Sequence, residues 1–182
     1  MTQTPGPDVS VRVAWPADGA AIAAIQLRGW QQRYGEPLAD LLEERGLDPA
    51  LLETAWRESL AHPPEARRRA LVALVHDRVV GFALTGPAAD PDADPKVDGE
   101  LAELTVDPEQ TRQGHGSRLV QAGVDTLRAD GFTRAVTWVD ATDDVLRAFL
   151  AGSGWAPDSA SRELADEAGV GSVKQVRLHC AL

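Results

Sequence analysis

The stretch Leu104-Thr105-Val106-Asp107-Pro108-Glu109-Gln110-Thr111-Arg112-Gln113-Gly114-His115-Gly116-Ser117 constrains the fold more than any other part of the chain. An apolar run ends there, Asp107-Pro108 breaks it, two glycines permit a tight turn, and a helical pattern follows from about Ser117 to Asp130. A strand that feeds a helix through so short a turn belongs to a domain of layered sheet and helix. Glycines at that point allow positive φ and let backbone N–H groups approach a ligand with no Cβ in the way. The first N–H groups of the helix lack intrahelical partners and stand at the positive end of its dipole. The turn therefore reads as an anion site suited to a pyrophosphate. It lacks the Gly-Lys-Ser/Thr of a Walker loop and the third glycine of a dinucleotide fingerprint. A tight connection with no ligand is the alternative that the turn alone leaves open.

Around this stretch the chain reads as one domain over residues 9–182 behind a flexible N-terminus, residues 1–8, with no repeat or long linker. Val9 to Ala14 alternates as a first strand. Asp18 is placed to cap a helix carrying Ile22, Ile25 and Trp30, closed by Gly35. Leu38 to Glu44 reads as a short helix ending at Gly46, and Asp48-Pro49 as a cap with proline at the first helical position. Ala70 to Val75 and Val79 to Leu84, joined by His76-Asp77-Arg78, form a hairpin pattern. Gly86 to Gly99 reads as a loop, Glu100 to Val106 and Ala135 to Val139 as strands. Thr142 or Asp143 caps a helix ending at Gly152 or Gly154, and two strands complete the chain. The order β-α-α-α-β-β-β-α-β-α-β-β predicts an α/β chain, a mixed sheet with helices on both faces.

Composition narrows the function classes. Apolar residues are 43% and charged residues 25%, as in an ordinary globular protein. A net charge of −10 argues against nucleic acid or an anionic membrane as partner. No apolar run suits a membrane span, the N-terminus has no signal-peptide pattern, and the lone Cys180 cannot form an internal disulfide, so a cytoplasmic protein is expected. From Ala88 to Glu109 eight acids face one base, Lys96, so this window holds −7 of the −10.

The pattern strand-V-D-P-x-x-x-R-Q-G-H-G-S-x-L resembles the acetyl-CoA loop of the GNAT superfamily of N-acetyltransferases. Trp30-Gln31-x-x-Tyr34, Val79-Val80-Gly81-Phe82-Ala83 and Phe149-Leu150-x-x-Ser153-Gly154-Trp155 are similar to further elements of that family, and the resemblance runs from about Val9 to Leu182. It implies a mixed, mostly antiparallel, V-shaped sheet flanked by helices, opened between the strands at Glu100–Val106 and Ala135–Val139. It implies acetyl-CoA as acyl-donor cosubstrate, with no metal, and direct transfer to a primary amine in a ternary complex. The pantetheine arm would bond the backbone of Leu104, Thr105 and Val106. The pyrophosphate would sit on the amides of Arg112, Gln113, Gly114, His115, Gly116 and Ser117, with Arg112 adding charge and Asp143 standing beside the cofactor. Trp30 and Tyr34 would line the acceptor pocket. The acceptor is a small-molecule amine or a protein N-terminus or lysine; the acid-rich window suits a cationic one, and a homodimer is compatible with the resemblance.

Three positions depart from the family pattern. Thr111 stands where the loop usually starts with Gln or Arg, Asp143 where Asn is common, and Leu150 where a tyrosine often protonates the leaving thiolate. A thiolate with a reference pKa of about 8.5 leaves tolerably without that proton, so the change lowers rate without forbidding reaction. The alternative function is an acyl-CoA-binding module with little turnover. Removing the ammonium proton needs a base; the resemblance puts Glu100 at a position where some members carry that glutamate, with Glu103 and Asp98 as alternatives. Strand alternation turns Glu100 and Glu103 to opposite faces unless a bulge intervenes. Asp90, Asp92 and Asp94 are read as a solvated loop and not as a calcium site, since Pro95 occupies the glycine position. The four histidines lack zinc-ligand spacing.

Overall fold

The computed structural model describes residues 9–35, 42–43, 46, 48–165 and 172–182. The N-terminal segment 1–8 lies outside the described residues, as does most of the short helix expected over Leu38–Glu44. The elements in order are β1 (Val9–Val13), α1 (Gly19–Tyr34), α2 (Pro49–Ala61), β2 (Arg69–Val75), β3 (Arg78–Pro87) and β4 (Asp98–Val106). Then come α3 (His115–Ala129), β5 (Arg134–Asp140), α4 (Asp144–Gly152), β6 (Ala156–Ala165) and β7 (Ser172–Ala181). The seven strands form one sheet in the order β1-β2-β3-β4-β5-β7-β6. The β1–β2, β2–β3, β5–β7 and β6–β7 pairings are antiparallel. β4 and β5 run parallel, with Asp98, Gly99 and Glu100 opposite Arg134, Ala135 and Val136. The chain is thus a mixed, mostly antiparallel α/β fold.

One compact unit takes in the chain up to Thr85 together with Glu103–Gly123. Its core is built by Ile22 and Ile25 of α1, Val72 and Leu74 of β2, and Val79 and Phe82 of β3, with Trp56 and Leu60 of α2 packed against them. Trp56 meets Phe82 edge to face at 5.3 Å. Phe82 and Ile22 are fully buried, each contributing about 1.5–3 kcal/mol of transfer free energy. Asp48 caps α2 by accepting from the Ala50 and Leu51 N–H groups, with proline at the first turn as expected. Asp18 does not cap α1. Its carboxylate is engaged by the Arg12 guanidinium, at 2.7 and 3.0 Å, and by the Trp15 N–H. Nearby charge outbids the helix amides.

The other compact unit comprises Gly86–Ala102 and Val124–Leu182. Leu101, Leu127, Phe132, Ala135, Val136, Val139, Leu150 and Trp155 are buried in it. Gly99 is there for space, because a Cβ would stand 2.7 Å from Leu127 Cδ2 and 2.9 Å from Phe132 Cδ2. The segment read as a loop from Gly86 to Gly99 is shorter than expected, since β3 runs on to Pro87 and β4 begins at Asp98.

The aspartates of that segment are not simply solvated. The Arg177 guanidinium, with its side chain 6% exposed, donates to both Asp92 oxygens at 2.9 Å and to Asp158 Oδ2 at 2.7 Å, and lies 3.5 Å from Asp90. Trp138 Nε1 donates to Asp90 as well (2.9 Å), and the Arg162 guanidinium covers the Trp138 ring. The hydrogen bonds that Arg177 donates to Asp92 and Asp158 hold its pKa above its ordinary value. Pairing, which composition hides, neutralises part of the acid-rich window.

Candidate functional site

The strand-to-helix connection lies wholly within the first unit. β4 approaches β3 closely at its end. A Cβ on Gly81 would sit 2.9 Å from the Thr105 carbonyl oxygen and 3.2 Å from Val106 Cα, so only glycine lets the strands meet there. The Asp107 N–H then donates to the Val80 carbonyl (2.9 Å), and Pro108–Gln110 makes one 3₁₀ turn. Asp107 holds both ends of that turn. Its carboxylate accepts from the Glu109 N–H (3.2 Å) and its carbonyl from the Gln110 N–H (2.8 Å).

Asp107 is 0% exposed, and a buried carboxylate demands counter-charge. Arg28 of α1 supplies it as a two-pronged fork, Nε to Oδ1 at 3.2 Å and Nη2 to Oδ2 at 2.7 Å, with Arg78 of β3 at 3.7 Å. Burial alone would push the Asp107 carboxyl up. The Arg28 hydrogen bonds, the Glu109 N–H and the two arginine charges outweigh it and hold the pKa below the usual carboxylate range.

After this anchor the chain turns outward. Thr111, Arg112, Gln113 and Gly114 are exposed. Arg112 has φ 63° and Gly114 φ 81°. The left-handed region is natural for glycine and costs an ordinary residue about 1–2 kcal/mol, so the arginine is held there against its preference. The Arg118 side chain reaches back to the Gln113 carbonyl (3.2 Å), and its backbone N–H bonds the Gly114 carbonyl (3.2 Å), the first helical bond of α3. Among the described residues, no acceptor engages the backbone N–H groups of Arg112, Gln113, Gly114, His115, Gly116 and Ser117. The helix begins at His115, two residues before the sequence-based start, so His115 and Gly116 belong to its first turn. Unengaged amides, the start of a helix and the Arg112 and Arg118 cations thus occur in one short stretch, features that suit a phosphate.

His115 differs from its neighbours. Its side chain is buried, at 2% residue exposure, and among the described residues neither ring nitrogen has a partner. Burial, then the Arg118 charge, lowers its pKa, so the ring is neutral at neutral pH.

The two candidate bases fall in different surroundings. Glu103, half-buried, accepts from Thr105 Oγ1 at 3.3 Å. Burial raises its pKa, against the opposing pull of the Thr105 hydroxyl, the Gln26 amide and the Arg33 charge. Gln26 is itself buried, with its oxygen accepting from Trp56 Nε1 (2.9 Å). Glu100, also half-buried, belongs to the other unit and stands opposite Val136. Asp98 is paired with Arg134 at 2.7 Å. Asp143 caps α4, its carboxylate accepting from the Leu146 N–H at 2.9 Å. Leu150 is a core residue, 1% exposed. Trp30 is half-buried on α1, four residues before Tyr34 closes that helix.

Gly29 of α1 lies next to the strand end, where a Cβ would meet Thr105 Cγ2 at 3.2 Å. The structure thus brings Leu104, Thr105, Val106, Glu103 and the loop 112–117 into one unit with α1. Arg28, Gln26, Arg118 and the side chain of Asp107 were not singled out from sequence. The Asp107-Pro108 pair read only as a turn, and its partner lies 79 positions away.

Comparison with solved structures gives matches over nearly the whole chain. The PaiA N-acetyltransferase of Thermoplasma acidophilum, solved with coenzyme A, superposes with a TM-score of 0.69 at 14% identity, covering 96% of this chain and 99% of its own. YncA of Salmonella typhimurium, solved with acetyl-CoA, gives 0.68 at 16% identity, with 96% and 94% covered. The ribosomal-protein-alanine N-acetyltransferase of Brucella melitensis gives 0.66 at 19% identity, with 95% and 99% covered. At these identities the likeness speaks for the fold alone. No curated protein matches by sequence. The sequence model of the acetyltransferase (GNAT) family matches residues 22–155, from the first turn of α1 to the end of the Phe149–Trp155 element and across the whole turn 107–117, and the chain belongs to that family.

Proposed function

We propose that the protein transfers an acetyl group from acetyl-CoA to a primary amine in a ternary complex. The observation that carries this reading is the run of amides from Arg112 to Ser117 at the start of α3, unengaged among the described residues and exposed at Arg112, Gln113, Gly114 and Ser117. A pyrophosphate would take those N–H groups, with Arg112 as counter-charge, and the end of β4 at Leu104–Val106 would receive the pantetheine arm. Membership of the family supports the same assignment.

The reaction needs two protons taken from the nitrogen and one thiolate released. The acceptor arrives as an ammonium, and a carboxylate takes its first proton before the nitrogen attacks the thioester carbonyl. The tetrahedral intermediate then collapses, expelling the CoA thiolate, and the nitrogen gives its second proton to solvent to leave the neutral amide. Glu103 suits the base: a half-buried carboxyl with a raised pKa accepts a proton near neutral pH more readily than a solvated one. Glu100, the first choice from sequence, is the alternative in the same strand. Leu150 offers no proton to the thiolate, which leaves as the anion.

The test has two parts on the purified full chain. Calorimetry with CoA should show one site, and release of free thiol should accompany acetylation of at least one member of a panel of amines, polyamines, aminoglycosides and protein N-termini. Absence of CoA binding overturns the reading. Binding without thiol release across the panel favours the second reading, an acyl-CoA-binding module, which the buried Leu150 at the tyrosine position motivates.

A further inference from the structure

Asp107 is a fully buried carboxylate at the root of the loop. The hydrogen bonds of the Arg28 guanidinium go to Asp107, and Asp107 has no exposed surface through which to meet a ligand. What Asp107 does touch is the backbone on either side of the turn, at Val80, Glu109 and Gln110. Two residues beyond Gln110 the chain enters the left-handed conformation of Arg112, which only over-determined surroundings maintain.

We propose that Asp107 and Arg28 are positioning residues for the acyl donor: the Arg28 fork fixes the Asp107 carboxylate, the carboxylate fixes the 3₁₀ turn at Pro108–Gln110, and that turn aims the amides of Arg112–Ser117. The inference rests on the functional reading above. Because Asp107 Oδ1 is shared between Arg28 Nε and the Glu109 N–H, loss of the fork frees the carboxylate to swing and the turn to open. An asparagine would turn an N–H donor toward the arginines or toward Glu109, and either orientation opposes donor to donor. The Arg28 side chain is 43% exposed, so its replacement leaves no large cavity and the variants should fold.

A second fork in the same unit serves as control. Arg12 grips Asp18 with the same bidentate geometry, at 2.7 and 3.0 Å, and the backbone amide that this carboxylate holds, the Trp15 N–H, lies outside the turn 107–117. The experiment measures CoA affinity by calorimetry, well below the melting temperature, for the parent and for Arg28→Met, Arg28→Lys, Asp107→Asn and Arg12→Met, with melting curves of each. Arg28→Met should weaken CoA binding at least tenfold, Asp107→Asn by as much or more, and Arg28→Lys should recover part of the loss through its single charge. Arg12→Met should lower the melting temperature by a similar amount and leave CoA affinity within twofold. If all variants lose affinity in proportion to their melting temperatures, or Arg28→Met binds CoA like the parent, the pair is merely structural and the inference fails alone. If the parent binds no CoA, the functional reading fails and takes this inference with it. Should Asp107→Asn not fold, the two Arg28 variants decide.

Discussion

His115 gives the sharpest energetic prediction, because the structure supplies every factor. The side chain is buried in the first turn of α3, and among the described residues neither Nδ1 nor Nε2 has a partner. A neutral imidazole carries one donor and one acceptor, and each left unsatisfied in the interior costs about 1–3 kcal/mol. Leucine has similar bulk and no polar atoms, and an imperfect shape match costs less than about 1.5 kcal/mol. With each group near the low end of that range, about 2–3 kcal/mol together, the balance favours His115→Leu by roughly 0.5–1.5 kcal/mol, or a rise in melting temperature of about 1–6 °C for a chain of this size. The pH dependence follows from the same burial. The folded ring has its pKa lowered from 6.5, so the unfolded chain binds the proton more readily. Its contribution is therefore fully present above about 6.5 and is lost as pH falls toward the folded value. Thermal unfolding of parent and variant at pH 7.5 and pH 5.5 measures both effects. The variant should melt higher at both values, and the gap should widen at the lower pH. A variant that melts below the parent at pH 7.5, or a gap that stays constant, would refute the reasoning and mean that the imidazole is satisfied in solution.

The remaining predictions address the turn, the base and the second unit. Gly114→Val forces a β-branched residue to φ 81° and presses its Cβ to 3.0 Å from Arg118 Nη1, so CoA affinity measured by calorimetry should fall at least tenfold. Glu103→Gln should lower kcat about 10²- to 10⁴-fold on any amine the parent acetylates, with a smaller effect from Glu100→Gln. Since burial raises the Glu103 pKa, the acid limb of the parent's kcat/KM profile should lie above the ordinary glutamate value of 4.5, with rate lost as pH falls through it. A limb at or below 4.5 would remove Glu103 from the role. Arg177→Met leaves the nearly buried Asp90 and Asp158 without their shared cation and should cost about 3–5 kcal/mol in chemical denaturation.

What the sequence made legible was local. Alternating or continuous apolar runs marked β2 and β5 to within a residue and β3 except for its last three residues, and Asp48-Pro49 and the Thr142-Asp143 pair announced their helices as caps. The turn at Gly114 was visible because positive φ and close backbone approach need glycine, and glycine is written in the sequence. Each failure has a charge at its centre. Asp18 looked like a cap and is bound to Arg12 instead; Asp90 and Asp92 looked solvated and are gathered by Arg177. A cap is read from neighbours two or three positions away, but the partner of a buried carboxylate can come from anywhere in the chain. Nothing in periodicity or composition ranks Arg177 above any other arginine.

That distinction bears on how the site is built. The amides of the turn need only glycines and a helix start, so the anion site itself is written locally. Its aim depends on Asp107, and Asp107 depends on an arginine 79 positions earlier. A buried carboxylate without its partner is among the costlier defects a protein interior can hold, which makes the Arg28 fork a strong constraint on where α1 docks against the end of β4. The same helix carries Gln26 and Arg33, which act on Glu103, and Gly29, which admits Thr105. One ion pair thus ties the helix that conditions the candidate base to the turn that would hold the donor. The two halves of the proposed chemistry in this unit share a single mechanical reference, and substitutions at Arg28 should register on both.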